Sequence, residues 1–132
     1  MSHMFLPGDE TWISSQAPVG PFGAVFEDDG TMGFLYAVER EGGGPVLLDA
    51  LHIYNVRSVT DREIESELEI RWTADGQHAA LLINDYAHAV FDFTARRGFC
   101  RTGLPAPPDT GWSVEGHAWS EDALRPFGAG GA

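Results

Sequence analysis

Four apolar runs of strand length, separated by three short breaks, fill residues 68–102 and constrain the fold more than any other stretch of the chain. The breaks lie at residues 73–77, 84–86 and 94–98 and contain Gly, Asp, Asn, Thr and Arg. Runs of this length that alternate with turn-forming residues are typical of consecutive antiparallel strands. The pattern therefore predicts a four-stranded meander at the centre of a β domain.

A second β unit precedes the meander. The Asp29-Gly30 pair between two apolar runs is a strong short-range signal for a β-hairpin. In the second arm, residues 32–38, both alternating faces are apolar or small, which predicts a central strand. Residues 46–56 are rich in aliphatic and β-branched side chains and predict a long strand that joins the two units. We expect a mainly β fold, with an antiparallel meander forming a sandwich or a partly open barrel and one or two short helical turns.

The chain divides into three predicted parts. Residues 1–21 are rich in proline and glycine and predict an irregular N-terminal arm, with Trp12 and Ile13 as anchors onto the core. Residues 22–120 have the length and pattern of a single antiparallel β domain. Residues 121–132 predict a short helix followed by a flexible Gly/Ala tail.

Three short segments within these parts carry their own signals. Residues 60–63 read Thr-Asp-Arg-Glu, a capping-box pattern that predicts a helical turn ending near Ser66, where the first meander strand begins. Residues 111–114 follow a proline-rich segment that cannot lie inside a sheet, and they predict a last edge strand. Ser120 is the predicted N-cap of the C-terminal helix.

The net charge of −12 restricts the partners that the chain can bind. It arises from 20 acidic and 8 basic residues, and all the basic residues are arginine. This acidity argues against binding nucleic-acid phosphates or anionic membranes; it permits a basic protein partner or serves solubility alone. A single cysteine excludes an internal disulfide, and we see no signal peptide or membrane-length apolar run, so we expect a cytoplasmic protein.

Five segments together resemble a family of small bacterial proteins known only as a domain of unknown function. They are VFEDDG at 25–30, DALHIYNV at 49–56, AALLINDY at 79–86, HAVFDF at 88–93 and GFCRT at 98–102. The resemblance covers about residues 5–120 and implies no activity, cofactor or catalytic residue. In general character it implies a small acidic domain similar to immunity proteins, which bind and neutralise a toxin.

The meander also contains the residues best suited to catalysis. The expected turn between its second and third strands brings His78 near Asp92, and a carboxylate that orients an imidazole supports a general base or a metal ligand. Cys100 lies among arginines, whose positive charge favours the reactive thiolate. The structural alternatives are a hydrogen-bonded pair on the sheet surface and a buried, unreactive cysteine.

Two charged clusters predict surfaces rather than catalysis. The acidic comb comprises Glu63, Glu65, Glu67 and Glu69, and the arginine cluster comprises Arg96, Arg97 and Arg101. On a strand, the comb would place like charges on one face, and a basic partner would relieve their repulsion. The alternative is a solvated edge strand that its charges protect against aggregation. We expect the arginine cluster to pair with the acidic comb inside the fold, with recognition of an anion as the alternative.

These observations lead to three functional hypotheses. The leading one is a non-enzymatic protein-binding domain, with toxin neutralisation as its specific form and the acidic comb as its partner-binding site. The second is a small-molecule-binding or hydrolytic β domain, which requires His78, His88, Asp92 and Cys100 to converge in a concave site. The third is a homodimer that pairs exposed edge strands. No metal-ligand spacing is recognisable, so no cofactor is expected.

Overall fold

The computed structural model describes residues 2–41, 44–107 and 109–128, and within these ranges nine strands form two antiparallel sheets. The strands are β1 (Ser2–Phe5), β2 (Thr11–Gln16), β3 (Phe22–Asp28), β4 (Met32–Glu41), β5 (Gly44–Asn55), β6 (Ser66–Trp72), β7 (His78–Ile83), β8 (Tyr86–Asp92) and β9 (Arg97–Cys100). The meander sheet has the order β1-β6-β7-β8-β9, and the hairpin sheet has the order β2-β3-β4-β5. Two short 3₁₀ helices span Val56–Ser58 and Glu121–Phe127. No helix in this described part of the chain has the length and apolarity needed to cross a membrane.

The meander predicted for residues 68–102 is confirmed. Strands β6 to β9 pair in chain order, each antiparallel to its neighbour. Asn84 and Asp85 have φ angles of 52° and 66°, and positive φ at both residues gives a two-residue turn the twist that antiparallel hairpins favour. Because side chains alternate across a strand, Leu81 of β7 and Phe91 of β8 both point into the core and are fully buried.

The predicted Asp-Gly hairpin is also confirmed, between β3 and β4. Asp29 Oδ1 accepts hydrogen bonds from the backbone N–H groups of Thr31 and Met32, at 2.9 and 2.8 Å, which stabilises the turn. Strand β4 lies between β3 and β5, as the apolar character of both its faces predicts.

The hydrophobic core lies between the two sheets. Phe26 and Leu51 from the hairpin sheet belong to one cluster with Leu68 and Phe91 from the meander sheet. Each fully buried side chain of this kind stabilises the fold by roughly 1.5–3 kcal/mol. Trp112 closes the cluster, with its ring centroid 6.2 Å from that of Phe91 in an edge-to-face arrangement. The mainly β prediction is confirmed as two packed antiparallel sheets.

The irregular structure predicted for residues 1–21 is wrong, because two strands form there. Strand β1 pairs with β6, and β2 pairs with β3. Ile13 packs against the core as expected, whereas Trp12 points outward and is 65% exposed. Both strands are fixed by pairing with partner strands, and local proline and glycine content does not report such pairing.

Two further local predictions are wrong. The helical turn predicted over residues 60–66 does not form, since Asp61 has a φ of 54° and the chain reaches β6 through a turn. The edge strand predicted for residues 111–114 is replaced by turns, in which Ser113 has a φ of 53° and a buried side chain. In both places one residue in the left-handed region interrupts the regular backbone that the sequence pattern favours.

The C-terminal 3₁₀ helix lies on the outer face of the meander sheet, against β7 and β8. The predicted cap is confirmed, because Ser120 Oγ accepts a hydrogen bond from the Asp122 N–H at 3.2 Å. Phe127 packs edge to face on His78, with ring centroids 6.5 Å apart. The rest of the predicted tail, residues 129–132, lies outside the described residues.

Candidate functional site

His78 and Asp92 face each other directly across β7 and β8, which confirms the predicted proximity. His78 Nε2 lies 3.4 Å from Asp92 Oδ1, and the two side chains are 17% and 26% exposed. His78 Nδ1 is buried and has no hydrogen-bond partner among the described residues. The pair lies on the outer face of the meander sheet, where Phe127 packs against the imidazole. This is a histidine–carboxylate contact at the sheet surface, partly covered by the C-terminal helix.

Cys100 points to the opposite side of the meander sheet, into the core. Its side chain is 1% exposed, and Sγ donates a hydrogen bond to the backbone carbonyl of His52 at 3.0 Å. A buried thiol that donates a hydrogen bond is a poor nucleophile, because the reactive species is the exposed thiolate. The three candidate catalytic residues, His78, Asp92 and Cys100, therefore do not converge on one site.

The acidic comb is divided between two structural settings. Glu63 and Glu65 lie in the loop before β6, whereas Glu67 and Glu69 lie on the outward face of that strand. Strand β6 pairs with β1 on one side and β7 on the other, so the edge-strand interpretation is wrong. Glu69 is already engaged, since Arg71 Nε donates to its Oε2 at 2.9 Å. The other three glutamates are exposed.

The arginine cluster forms ion pairs inside the fold, but its partners are not in the acidic comb. Arg97 Nη1 lies 3.3 Å from Glu115 Oε1, and Arg101 Nη1 lies 3.5 Å from Glu121 Oε2. The guanidinium group of Arg101 also stacks over the Trp119 ring, 4.2 Å from its centroid. These contacts fasten the C-terminal segment to the meander sheet.

Two fully buried ionisable residues, Asp49 and His117, form a pair that sequence reasoning missed. His117 Nε2 lies 2.9 Å from Asp49 Oδ1 and 3.1 Å from Oδ2, and both side chains are 0% exposed. Ser113 Oγ donates to Asp49 Oδ2 at 2.6 Å and accepts a hydrogen bond from the Gly98 N–H at 2.8 Å. This buried cluster therefore ties β5 and β9, one strand from each sheet, to the segment that follows the prolines.

The buried cluster contains serine, histidine and aspartate, but their arrangement is not that of a catalytic triad. In a triad the nucleophile is hydrogen-bonded to the histidine, whereas Ser113 donates to Asp49. His117 Nδ1 faces the carbonyl of Pro105 at 2.6 Å, so both ring nitrogens face oxygen acceptors. This favours an imidazolium paired with the Asp49 carboxylate. Because neither side chain of the pair is accessible, the cluster stabilises the fold and contacts no substrate.

The outer face of the hairpin sheet contains an exposed apolar groove of about 420 Å³. We call this surface the aromatic face, and its main residues are Trp12, Val25, Tyr36, Val38, Arg40 and Leu47. They come from alternate positions on four adjacent strands, so one face of the sheet presents all of them. Trp12 is 65% exposed and Leu47 is 48% exposed. Large apolar side chains are thus available to solvent on a strand-built surface.

An acidic cleft of about 320 Å³ adjoins this groove, and Trp12 lines both. The accessible carboxylates of the cleft belong to Glu10 and Asp29, which are exposed, and to Glu27, which is half-buried. Backbone N–H groups of the β3–β4 turn, that of Met32 first, hold the pKa of Asp29 below its usual range, so this carboxylate is ionised at neutral pH. Glu27 Oε1 accepts a hydrogen bond from the hydroxyl of Tyr36 at 2.9 Å, which orients it beside the groove.

Asp28, at the base of the same cleft, is a structural carboxylate. It is 1% exposed and accepts hydrogen bonds from the N–H groups of Gly8 and Gly30, at 2.7 and 2.8 Å, and from the Tyr54 hydroxyl at 2.6 Å. Burial, followed by this hydrogen bond, raises the pKa of Tyr54 well above its ordinary value. Across residues 2–41, 44–107 and 109–128, no group of three or more His, Cys, Asp or Glu side chains is arranged to hold a metal ion.

Comparison with known proteins places the chain among bacterial relatives. A family described as uncharacterised proteins conserved in bacteria (DUF2251) matches residues 5–128. A relative from Haemophilus influenzae, described as an uncharacterised protein, is 38% identical over 114 residues, which cover 81% of this chain and 70% of the relative. No solved structure matches the chain.

Proposed function

We propose that this chain, which belongs to the DUF2251 family of uncharacterised bacterial proteins, is a non-enzymatic domain that binds a basic protein through its aromatic face. The observation that carries the proposal is the position of Trp12, 65% exposed between an apolar groove and an acidic cleft. The combination offers apolar contact area and negative charge to one partner surface.

The composition of the aromatic face supports a role in protein recognition. Tryptophan, tyrosine and arginine are enriched among the residues that dominate binding energy at protein interfaces, and Trp12, Tyr36 and Arg40 lie together here. Arg40 Nη2 donates to Ser14 Oγ at 3.1 Å, which holds the guanidinium group at the rim of the groove. Covering this surface costs little backbone ordering entropy, because the sheet already fixes the backbone that carries these side chains.

The charge of the molecule supports a basic partner. The acidic cleft places carboxylates beside the face of Trp12, and an arginine or lysine side chain can interact with both an aromatic ring and a carboxylate. The net charge of −12 would also accelerate the approach of a positively charged protein. Neutralisation of a basic toxin in the cytoplasm is the specific biological form that we propose for this binding.

The acidic comb is the alternative docking surface. Glu63, Glu65 and Glu67 are exposed and would also attract a basic partner. We favour the aromatic face because several large apolar side chains meet there in a groove, whereas the comb offers exposed Ile64 among its glutamates, and exposed charges alone contribute little affinity. The hydrolytic alternative has less support, since Cys100 lies in the core on the opposite side of the sheet from His78 and Asp92.

The proposal is tested by capture of host proteins on the immobilised full chain, with the captured proteins identified by mass spectrometry. We expect a basic protein to bind with a salt-dependent affinity. If the captured protein is encoded by a gene adjacent to that of the chain, toxin neutralisation is supported. Trp12→Ala should weaken its binding by at least about 30-fold, equivalent to about 2 kcal/mol, as for a central interface residue.

The matched control is the double variant Glu63→Gln/Glu65→Gln, which removes two exposed charges from the acidic comb. We expect it to retain the partner. If the control loses the partner and Trp12→Ala keeps it, the comb is the binding site and our assignment is wrong. Failure of the wild-type chain to bind any protein at micromolar concentration would contradict protein binding altogether. Light scattering at two concentrations distinguishes a second copy of the chain from a different partner.

A further inference from the structure

The arginines of this acidic chain are unevenly paired. Four of the eight lie within ion-pair distance of a carboxylate, namely Arg71, Arg97, Arg101 and Arg125. Arg40 donates to Ser14 Oγ, and Arg96 lies in the turn before β9. Arg57 and Arg62 are exposed and, among the described residues, have no carboxylate within 4.0 Å. Arg57 and Arg62 are therefore two exposed cations that no carboxylate of the described residues neutralises at close range.

Arg57 and Arg62 line the same groove, which has a volume of about 410 Å³. The groove lies where the end of β5 meets the β3–β4 turn, so that Thr31 and Asn55 also contribute to its wall. Asn55 Oδ1 lies 3.1 Å from His52 Nε2, which leaves the Asn55 amide nitrogen as a further donor. Two arginines, an asparagine and a threonine thus line one concave surface.

The β3–β4 turn that contributes to this groove contains one carboxylate, that of Asp29. The side chain of Asp29 in the β3–β4 turn is committed to the turn itself, where it accepts from the N–H groups of Thr31 and Met32. Met32 and Val56 add apolar contacts to the wall of the groove. The lining therefore combines positive charge with apolar surface, which suits an anion carried on an organic molecule.

We propose that this groove binds a phosphate monoester on a small organic molecule. A phosphate group presents several acceptor oxygens and nearly two negative charges at neutral pH, and paired guanidinium groups match both properties. Met32 and Val56 would contact the organic part of the ligand. The inference does not depend on the proposed protein binding, because none of the aromatic-face residues lines this groove.

The test is a titration of the isotope-labelled full chain with phenyl phosphate at low salt, followed by nuclear magnetic resonance of backbone and arginine N–H groups. We expect saturable shifts at Thr31, Asn55, Arg57 and Arg62, with a dissociation constant on the order of 1 mM. Benzoate should bind more weakly, because it carries one charge and fewer acceptor oxygens, and phenol should not bind. Tighter binding of benzoate, or equal binding of phenol, would overturn the phosphate assignment.

The variant Arg57→Gln/Arg62→Gln should weaken phenyl phosphate binding by at least about 10-fold, in line with loss of charged hydrogen bonds. Both residues are exposed, so thermal unfolding should be unchanged and loss of binding cannot be attributed to misfolding. Arg125→Gln is the matched control, since Arg125 is exposed and paired with Asp122 elsewhere on the surface. Undiminished binding by the double variant, or equal loss in the control, would show that no specific site exists in this groove.

Discussion

Two regions of the molecule differ in their exposure to solvent. The buried cluster contains Asp49, Ser113 and His117, and the aromatic face surrounds Trp12. In the buried cluster the Asp49 and His117 side chains are fully inaccessible, and each polar group has a partner within the chain. On the aromatic face, Trp12 is 65% exposed and the adjoining groove is open. The chemically suggestive residues therefore stabilise the fold, whereas the chemically inert surface is available for recognition.

The largest expected effect comes from breaking the buried pair. His117→Ala leaves the Asp49 carboxylate buried without its cation, so we expect the free energy of unfolding to fall by about 3–5 kcal/mol. Denaturant unfolding monitored by tryptophan fluorescence measures this loss. The double variant Asp49→Asn/His117→Ala should recover part of it, because no uncompensated charge remains. A loss below about 1 kcal/mol for His117→Ala would contradict the buried ion pair.

A smaller change in the free energy of unfolding distinguishes the two regions when the same substitution, serine to alanine, is made in each. Ser113→Ala removes a hydroxyl that bridges the Gly98 N–H and Asp49, and should cost about 1–3 kcal/mol because both groups stay buried. Ser14→Ala removes an exposed hydroxyl from the aromatic-face side of β2, and should change stability by less than about 0.5 kcal/mol. The two unfolding curves, recorded side by side, test the comparison. Equal losses of unfolding free energy in the two variants would mean that the buried serine contributes no more to stability than the exposed one.

On the aromatic face itself, Trp12→Ala should lower the free energy of unfolding by less than about 1 kcal/mol, since the ring is mainly exposed and β2 keeps its pairing with β3. The same denaturant experiment measures it. A loss comparable to that of His117→Ala would show that Trp12 serves the fold rather than recognition.

The smallest effect concerns pH and a half-buried histidine on the meander sheet. Burial, followed by the positive charge of Arg101, lowers the pKa of His88 below its ordinary value of 6.5. The folded chain therefore binds fewer protons than the unfolded chain in the pH range just below 6.5, and stability falls as the pH falls through that range. His88→Gln removes this contribution. As the pH is lowered through this range, the wild type should therefore lose more stability than the variant. Parallel pH profiles for the two proteins would contradict this.

The meander was predictable because its information is local. Turn residues such as Asn84 and Asp85 and the alternation of apolar positions fix both the pairing and the inward face of each strand. The proximity of His78 and Asp92 follows from the same register. Strand β2 was not predictable from local composition, because its backbone is fixed by pairing with β3 and its outer side chains are exposed.

The buried cluster could not be predicted, since Asp49 and His117 are 68 residues apart and His117 belongs to no periodic segment. Asp49 lies in a predicted strand, and a strand pattern does not identify a partner that comes from an irregular segment. The aromatic face was missed for a related reason. Trp12 and Tyr36 become neighbours only after β2, β3 and β4 align, so their cluster exists in the sheet and not in the sequence.

The affinity of the Trp12→Ala chain for the basic partner captured by the wild type, measured together with its free energy of unfolding, tests whether the aromatic face is the binding surface. We expect at least about a 30-fold loss of affinity with less than about 1 kcal/mol loss of stability. Unchanged affinity in a folded Trp12→Ala chain would contradict the claim that the aromatic face is the binding surface.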